Sequence, residues 1–233
     1  MNLSKDFYLN FHAHQQHPGE NEIVVQSLFL QENITAHVSE NIFFTAGLHP
    51  WHADQLDLNQ LEKKLEKFIS KKKIIAIGET GLDKLKGADW ETQLRIFKKH
   101  IEISEKYHLP LVIHSVKAHN EILKLKKDTG AKSHWVIHNF TGSKQMAMGF
   151  INHGFYLSIC HHIKNKNSRI NQFFNQLPKD KIFLETDDFD ISIKELYKIA
   201  ADKWKIGVKE LKIQLIYNLQ MFLENMELNN KTG

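Results

Sequence analysis

The chain holds one cysteine, Cys160, so neither an internal disulfide nor a multi-cysteine metal knot can form. Arginine is almost as scarce: Arg95 and Arg169 are the only two, and lysine supplies nearly all of the positive charge. No apolar run approaches the roughly 20 residues needed to span a bilayer. The first residues, Met1 to Asp6, lack a basic region followed by an apolar one, which argues against a secretory signal. Low-complexity tracts, linkers and internal repeats are missing too. These absences leave a soluble, cytoplasmic enzyme with no membrane attachment as the expectation.

A length of 233 residues fits one large domain, taken as 1–233, and the 42% hydrophobic fraction is enough for one sizeable core. The net charge of +4 favours polyanionic substrates slightly and falls short of a nucleic-acid-binding signature. Lys71-Lys72-Lys73 reads as a solvated helix end. The unusual number is 15 histidines. Most of them, including His17, His100, His108 and His153, are expected on the surface with no task.

Short apolar runs alternate with amphipathic helical segments. Strands are predicted at Phe7–Phe11, Ile23–Leu30, Ile42–Ala46, Ile74–Gly78, Leu111–Ile113, Trp135–Ile137, Phe155–Ile159 and Ile182–Leu184. From the fourth onward each is followed by a helical pattern, such as the stripe Leu94, Phe97, Ile101 and Ser104. Strands separated by helices imply parallel crossovers, and eight such runs point to an α/β fold, a parallel (β/α) barrel of TIM type. Segments 12–22 and 31–41 are too short and polar for full crossover helices, so the first third should be irregular. Two helices, near 192–204 and 208–225, should close the chain.

The strand ends carry the chemistry. Phe7–Phe11 runs into His12-Ala13-His14, Ile74–Gly78 into Glu79, and Leu111–Ile113 into His114. Trp135–Ile137 runs into His138, and Ile182–Leu184 into Glu185-Thr186-Asp187. A barrel gathers the carboxyl ends of its strands at one mouth, and in an extended His-x-His both imidazoles point to one side. Any one of these histidines alone reads as a satisfied core or loop residue; five strand ends bearing ligand types in this order do not. Four imidazoles with two carboxylates suit Zn²⁺, Mn²⁺ or Fe²⁺, and Mg²⁺ alone less readily. Six ligands exceed the three protein ligands of a typical catalytic zinc, so two divalent ions sharing a carboxylate are expected.

The same residues carry a resemblance to a known family. The stretches are His12-Ala13-His14, Gly47-Leu48-His49-Pro50, Gly78-Glu79-Thr80-Gly81-Leu82-Asp83, and Gln93 with Phe97. They continue through Leu109–His114, His138-Asn139-Phe140-Thr141-Gly142, Leu184-Glu185-Thr186-Asp187 and a last helix with Asn218 and Phe222. In this order they resemble the TatD-type metal-dependent deoxyribonucleases of the amidohydrolase superfamily. The resemblance implies that His12 and His14 hold one metal with Asp187 nearby, and that Glu79 bridges to a second metal on His114 and His138. It implies that Asp187 takes a proton from the attacking water, with Glu79 also part of the catalytic machinery. It places His49 and Asp83 along the site, in contact with substrate or orienting ligands; for Asp83 a turn-forming role is the alternative. The implied cofactors are two divalent ions, Zn²⁺, Mn²⁺ or Mg²⁺, and the implied substrate is DNA.

The chain departs from that family at four places. Asn10 stands where an acid is expected, which weakens support behind the first metal. His114-Ser115-Val116 lacks the arginine of the family's His-x-Arg. Lys84, Leu85 and Lys86 replace the expected Tyr and Arg, and the loop after Asp187 is cut to Asp188-Phe189-Asp190. Phosphate contacts then fall to the metals, to lysines such as Lys84, Lys86 or Lys117, and to backbone N–H groups. A metal-dependent esterase, for example on aminoacyl-tRNA, is the alternative within the enzyme class. A silent barrel that binds nucleic acid or protein is the alternative outside it, and the complete ligand set argues against silence.

Overall fold

Residues whose side chains alternate between two apolar layers form buried parallel strands, and here nearly every strand position is buried. The structure, a computed structural model, describes residues 6–14, 18–30, 39–70 and 74–224. Eight strands stand in one sheet in chain order: β1 (Tyr8–Ala13), β2 (Glu22–Phe29), β3 (Ile42–Gly47), β4 (Ile74–Asp83), β5 (Leu111–Val116), β6 (Trp135–Ile137), β7 (Tyr156–Ile159) and β8 (Ile182–Leu184). The helices are α1 (Leu58–Ser70), α2 (Trp90–Tyr107), α3 (His119–Thr129), α4 (Lys144–Asn152), the short α5 (Arg169–Phe173), α6 (Ile193–Trp204) and α7 (Val208–Leu223). A helix follows every strand from β3 onward, which is the alternation of the expected parallel β/α class. Among the described residues no helix is long and apolar enough to cross a membrane.

Contacts sort the chain into two compact units. One comprises Ser27–Ser39, Phe43–Ile137 and Leu223–Gly233. In it β4 pairs in parallel with β3 and β5, and β5 with β6. Helix α1, of which the sequence reading gives only an end at Lys71-Lys72-Lys73, residues that lie outside the described ones, buries Leu61 and Leu65. Helix α2 starts where Asp89 accepts from the Thr92 N–H and stops at His108, whose φ of 54° is left-handed. Its buried face is Gln93, Ile96, Phe97, His100, Ile101 and Ser104, so the expected stripe holds with Leu94 only at its margin. Phe97 meets Trp135 with ring centroids 5.8 Å apart.

His100 corrects the expectation that it lies on the surface. It is 0% exposed; its Nε2 accepts from the Leu48 N–H at 3.1 Å and its Nδ1 lies 2.8 Å from the Ile96 carbonyl. Only a neutral ring can do both, and burial pushes its pKa down to about 4 against the Ile96 bond, which raises it. Because the folded value is below the unfolded one, this group's stability is complete above the unfolded value of 6.5 and is lost as pH falls toward about 4. Urea unfolding at about pH 7 and about pH 5 should show a fall that His100→Leu reduces by about 2 kcal/mol. An unchanged pH dependence in the variant would exclude His100 as an acid-sensitive point. His108 and His153 are exposed as expected, and His17 lies outside the described residues.

The other unit comprises Met1–Gln26, Glu40–Ile42 and His138–Phe222. Here β1 pairs with β2 and β7 with β8, all in parallel. Its core is aromatic: Phe11 stacks on Phe183 at 3.9 Å, and Phe222 from α7 sets its edge against both. Helices α6 and α7 fall within about a turn of their expected places. Between β1 and β2 and between β2 and β3 no helix is described; residues 15–17 and 31–38 of the segments expected to be irregular lie outside the described residues.

Four strands run further than the sequence suggested, β3 by Gly47 alone. β1 includes His12, β4 continues through Glu79 to Asp83, and β5 continues through His114 to Val116. Two of them are irregular at the interesting residue. Three steps of β1, Asn10 to Ala13, stand opposite two of β2, and three steps of β4, Ile77 to Thr80, stand opposite two of β5. An extra residue of this kind bends the strand and re-aims its side chains, and the two intervals contain His12 and Glu79.

Candidate metal centre and hydrolytic site

In the unit that contains β1 and β8, the backbone brings the first and last motifs together. The Asp187 N–H donates to the His12 carbonyl at 3.0 Å, and Ala13 and Asp187 form a parallel bridge. Asn10, buried within β1, secures the join: its Oδ1 accepts from the Thr186 N–H at 3.0 Å and its Nδ2 donates to Thr186 Oγ1 at 2.8 Å. The residue that departs from the family's acid thus grips the Glu-Thr-Asp segment in the structure. Asp187 and Asn139 take left-handed φ angles of 52° and 43°, which Asp and Asn tolerate better than other side chains.

These turns gather donors. Asp187 Oδ1 lies 3.5 Å from His14 Nε2 and 3.8 Å from His12 Nε2, while Asp187 Oδ2 accepts from Asn139 Nδ2 at 2.9 Å. The His12 ring is 5.0 Å from that of His14 and 4.5 Å from that of His138. His138 Nδ1 lies 3.5 Å from Glu185 Oε1, which also accepts from the Asn139 N–H at 2.6 Å. Glu185 is fully buried.

In the unit that contains β4 and β5, Glu79 sits between two imidazoles. Its Oε1 lies 2.9 Å from His114 Nδ1 and 3.0 Å from His49 Nε2. His49 Nδ1 accepts from the Trp51 N–H at 3.2 Å, so the proton of the neutral ring belongs on Nε2, which then donates to Glu79. That pattern ties the His49 ring between the Trp51 backbone and the Glu79 carboxylate. His114 Nε2 faces Asp83 Oδ2 at 3.3 Å.

Asp83 closes β4 and also builds the turn after it, because its Oδ1 accepts from the Leu85 and Lys86 N–H groups at 2.8 and 3.1 Å. One carboxylate thus faces His114 with one oxygen and caps the turn with the other. Burial would raise its pKa, but hydrogen bonds from Trp51, Leu85 and His114 outweigh it and hold the carboxyl below the usual value. Gln93 from α2 fixes the same turn: its Oε1 accepts from the Asp83 N–H and its Nε2 donates to the Asp83 and Ala88 carbonyls.

The donor chemistry fits a divalent ion. Ligand atoms of His12, His14 and Asp187 all lie within 4.8 Å of one another, as do those of His49, Glu79 and His114, and those of His138, Glu185 and Asp187. Imidazole nitrogen with carboxylate oxygen, half-buried or buried, is a mixed donor set that divalent ions take. Each unit therefore holds a cluster able to bind a metal, with His12, His14, His138 and Asp187 in one and Glu79 and His114 in the other.

Sequence reading passed over three residues here. Glu185 was visible as an acid two positions before Asp187 on a strand end, and Asn139 follows His138 directly. Trp51 gave no signal, since its contact to Asp83 crosses from the turn after β3 to the end of β4. Of the lysines offered for phosphate, Lys84 is ion-paired with Glu121.

The profile of the family described as TatD related DNase matches residues 16–203. That span includes Glu79, His114, His138 and Asp187, while His12 and His14 precede it. An uncharacterized metal-dependent hydrolase of Buchnera aphidicola subsp. Baizongia pistaciae is 33% identical over 152 residues, covering 64% of this chain and 57% of that protein. The uncharacterized metal-dependent hydrolase YjjV of Escherichia coli K12 is 30% identical over 181 residues, covering 75% of this chain and 66% of that one. The chain thus spans about 57% to 66% of the length of these two relatives. The crystal structure of the TatD homolog YjjV from E. coli superposes with a TM-score of 0.78 at 20% identity, covering 95% of this chain and 99% of that one, which shows the β/α barrel fold. With four-fifths of its residues under one family profile, this chain belongs to the TatD related DNase family.

Proposed function

We propose that this protein is a divalent-metal-dependent hydrolase, most specifically a deoxyribonuclease that cleaves phosphodiesters with an activated water. The carrying observation is the placement of the Asp187 carboxylate against His12 and His14 in a chain of this family. In this reading His12, His14 and Asp187 hold one ion. Glu79 and His114 would hold a second. When bound, the ions would supply Lewis acidity to a phosphoryl oxygen and to the attacking water.

The side chains divide the remaining work. Asp187 accepts the proton of the attacking water while its other oxygen stays fixed on Asn139. The water oxygen bonds to phosphorus, the bond from phosphorus to the leaving oxygen breaks, and that oxygen takes up the proton that Asp187 accepted. His49 holds Glu79 in one orientation, and Asp83 does the same for His114. Few arginines leave lysines as point-charge partners for phosphate, so binding should be tolerant of sequence and weaken as salt rises. We propose single-stranded or frayed DNA ends as the substrate and the cytoplasm as the location, with the whole chain acting as one catalytic domain and no obligate protein partner.

The test is degradation of end-labelled linear and circular single-stranded DNA with Mg²⁺, Mn²⁺ and Zn²⁺ each supplied, at two salt concentrations. Linear DNA should be degraded, more slowly in the higher salt. No cleavage with any of the three, alongside hydrolysis of an aminoacyl ester, would replace this reading with the esterase one. Metal content gives a separate check. Elemental analysis after loading should approach two equivalents, about one of which Glu79→Gln should lose. Saturation at one equivalent, unaffected by Glu79→Gln, would rule out the dinuclear assignment.

A further inference from the structure

Beside His114 stands an aromatic surface that the hydrolytic chemistry does not use. Trp51 follows His49 in the short turn after β3 and keeps 38% of its surface exposed, which is unusual for so large a ring. It is nonetheless fixed. Its Nε1–H donates to Asp83 Oδ2 at 2.8 Å, and that same oxygen is 3.3 Å from His114 Nε2. The loop after β4 presses on it from behind: the Ala88 N–H donates to the Pro50 carbonyl at 3.3 Å. A Cβ at Gly87, whose φ is +100°, would stand 2.7 Å from both that carbonyl oxygen and Trp51 Cα. The indole is a rigid plate with its polar atom already satisfied and its ring 5.9 Å from that of His114.

What covers the plate is a lysine. Lys86 Nζ lies 3.3 Å from the centre of the Trp51 ring, and among the described residues Lys86 makes no ion pair. Its neighbour Lys84 differs, being paired with Glu121. An open cavity of about 560 Å³ lies on Lys86, bordered by Asp83, the Lys84–Ala88 loop, Trp90, Gln93 and Glu121. An exposed cation on an aromatic face is held more weakly than a nucleobase stacked there, and a displaced ammonium remains within reach of a phosphate.

We propose that Trp51 and Lys86 form a nucleotide subsite for single-stranded nucleic acid. A base stacks on the Trp51 indole in place of the Lys86 ammonium, and that ammonium moves to the adjoining phosphate. The inference rests on the phosphodiesterase reading and adds to it the part of the substrate, a base next to the cleaved bond, that the protein grips. It also gives a task to Lys86, which stands in a segment where this chain departs from its family.

The experiment uses the metal-loaded protein and a short single-stranded phosphorothioate oligonucleotide that resists cleavage, with binding read by fluorescence anisotropy. Trp51→Ala should weaken binding about tenfold, Trp51→Phe much less, and an abasic oligonucleotide of equal length should bind wild type and Trp51→Ala alike. Lys86→Gln should reduce the slope of log affinity against log salt by about 0.7. Equal loss on the basic and abasic oligonucleotides, or no loss on either, overturns the subsite; if Trp51→Ala does not fold, Trp51→Phe and Lys86→Gln must both match wild type to overturn it. Wild type that degrades unmodified DNA while Trp51→Ala binds the oligonucleotide as tightly removes the subsite and leaves the phosphodiesterase reading standing. Wild type that neither binds the oligonucleotide nor cleaves DNA removes both.

Discussion

Asp187→Asn should lower kcat by about 10²–10⁴, the range of a lost general base, with at most a partial loss of metal. The substitution isolates the chemistry because the fold has little reason to object. Residue 187 sits at a left-handed φ of 52°, which Asn adopts as readily as Asp. An amide oxygen can still accept from Asn139 Nδ2, now 2.9 Å from the carboxylate, and the backbone bond to His12 is untouched. What disappears is the oxygen facing His12 and His14 that carries negative charge and can take a proton. Steady-state kinetics on single-stranded DNA, with the melting temperature as a check on folding, reads the effect. A kcat within a few-fold of wild type means that another group accepts the proton.

The largest effect on stability is expected from Gly81→Ala. Gly81 lies in β4 with a φ of +143°, where a side chain is strained, and a Cβ there would stand 2.1 Å from the His114 carbonyl oxygen. The obstacle is backbone of β5, which cannot rotate away as a side chain could. One strand must withdraw from the other and carry His114 off Glu79. We expect a loss of more than about 4 kcal/mol in urea unfolding, or failure to fold. Gly130→Ala separates conformation from contact. Gly130 also has a positive φ, +62°, but nothing lies within 4 Å of its Cβ position, so it should cost only about 1 kcal/mol. If the two substitutions cost the same, β4 and β5 can part without penalty and their close approach does not hold His114 in place.

The order of elements was legible because parallel strands buried on both faces read as unbroken apolar runs, and these are easily seen between amphipathic helices. Trp135–Ile137 and Ile182–Leu184 are found where the runs stand. The run Ile74–Gly78 was cut short at Glu79 because a charged residue ordinarily ends a strand. Here it does not: β4 continues to Asp83, with both acids buried beside imidazoles. Helix α1 shows in the sequence only by its lysine-rich end, because its stripe is thin, resting on Leu61 and Leu65 among lysines and glutamates. His100 was misplaced since a histidine three residues after Phe97 looks like any polar position; its partner, the Leu48 N–H, is 52 residues away.

The sequence by itself determined the fold class and the ligand types. Strand periodicity and the residues that end each strand are local properties, and a row of His, Glu and Asp at those ends points to a divalent metal. Only the tertiary structure decided which atoms face which. The extra residues in β1 and β4 re-aim His12 and Glu79, left-handed turns at Asn139 and Asp187 swing their side chains into hydrogen-bonding contact, and Asn10 locks Thr186. Bulges, turns and long-range hydrogen bonds depend on the neighbouring strand rather than on the residue's own segment. No pattern along the chain could have put Trp51 against Asp83, or Lys86 on the face of Trp51; that took the closing of one loop onto another.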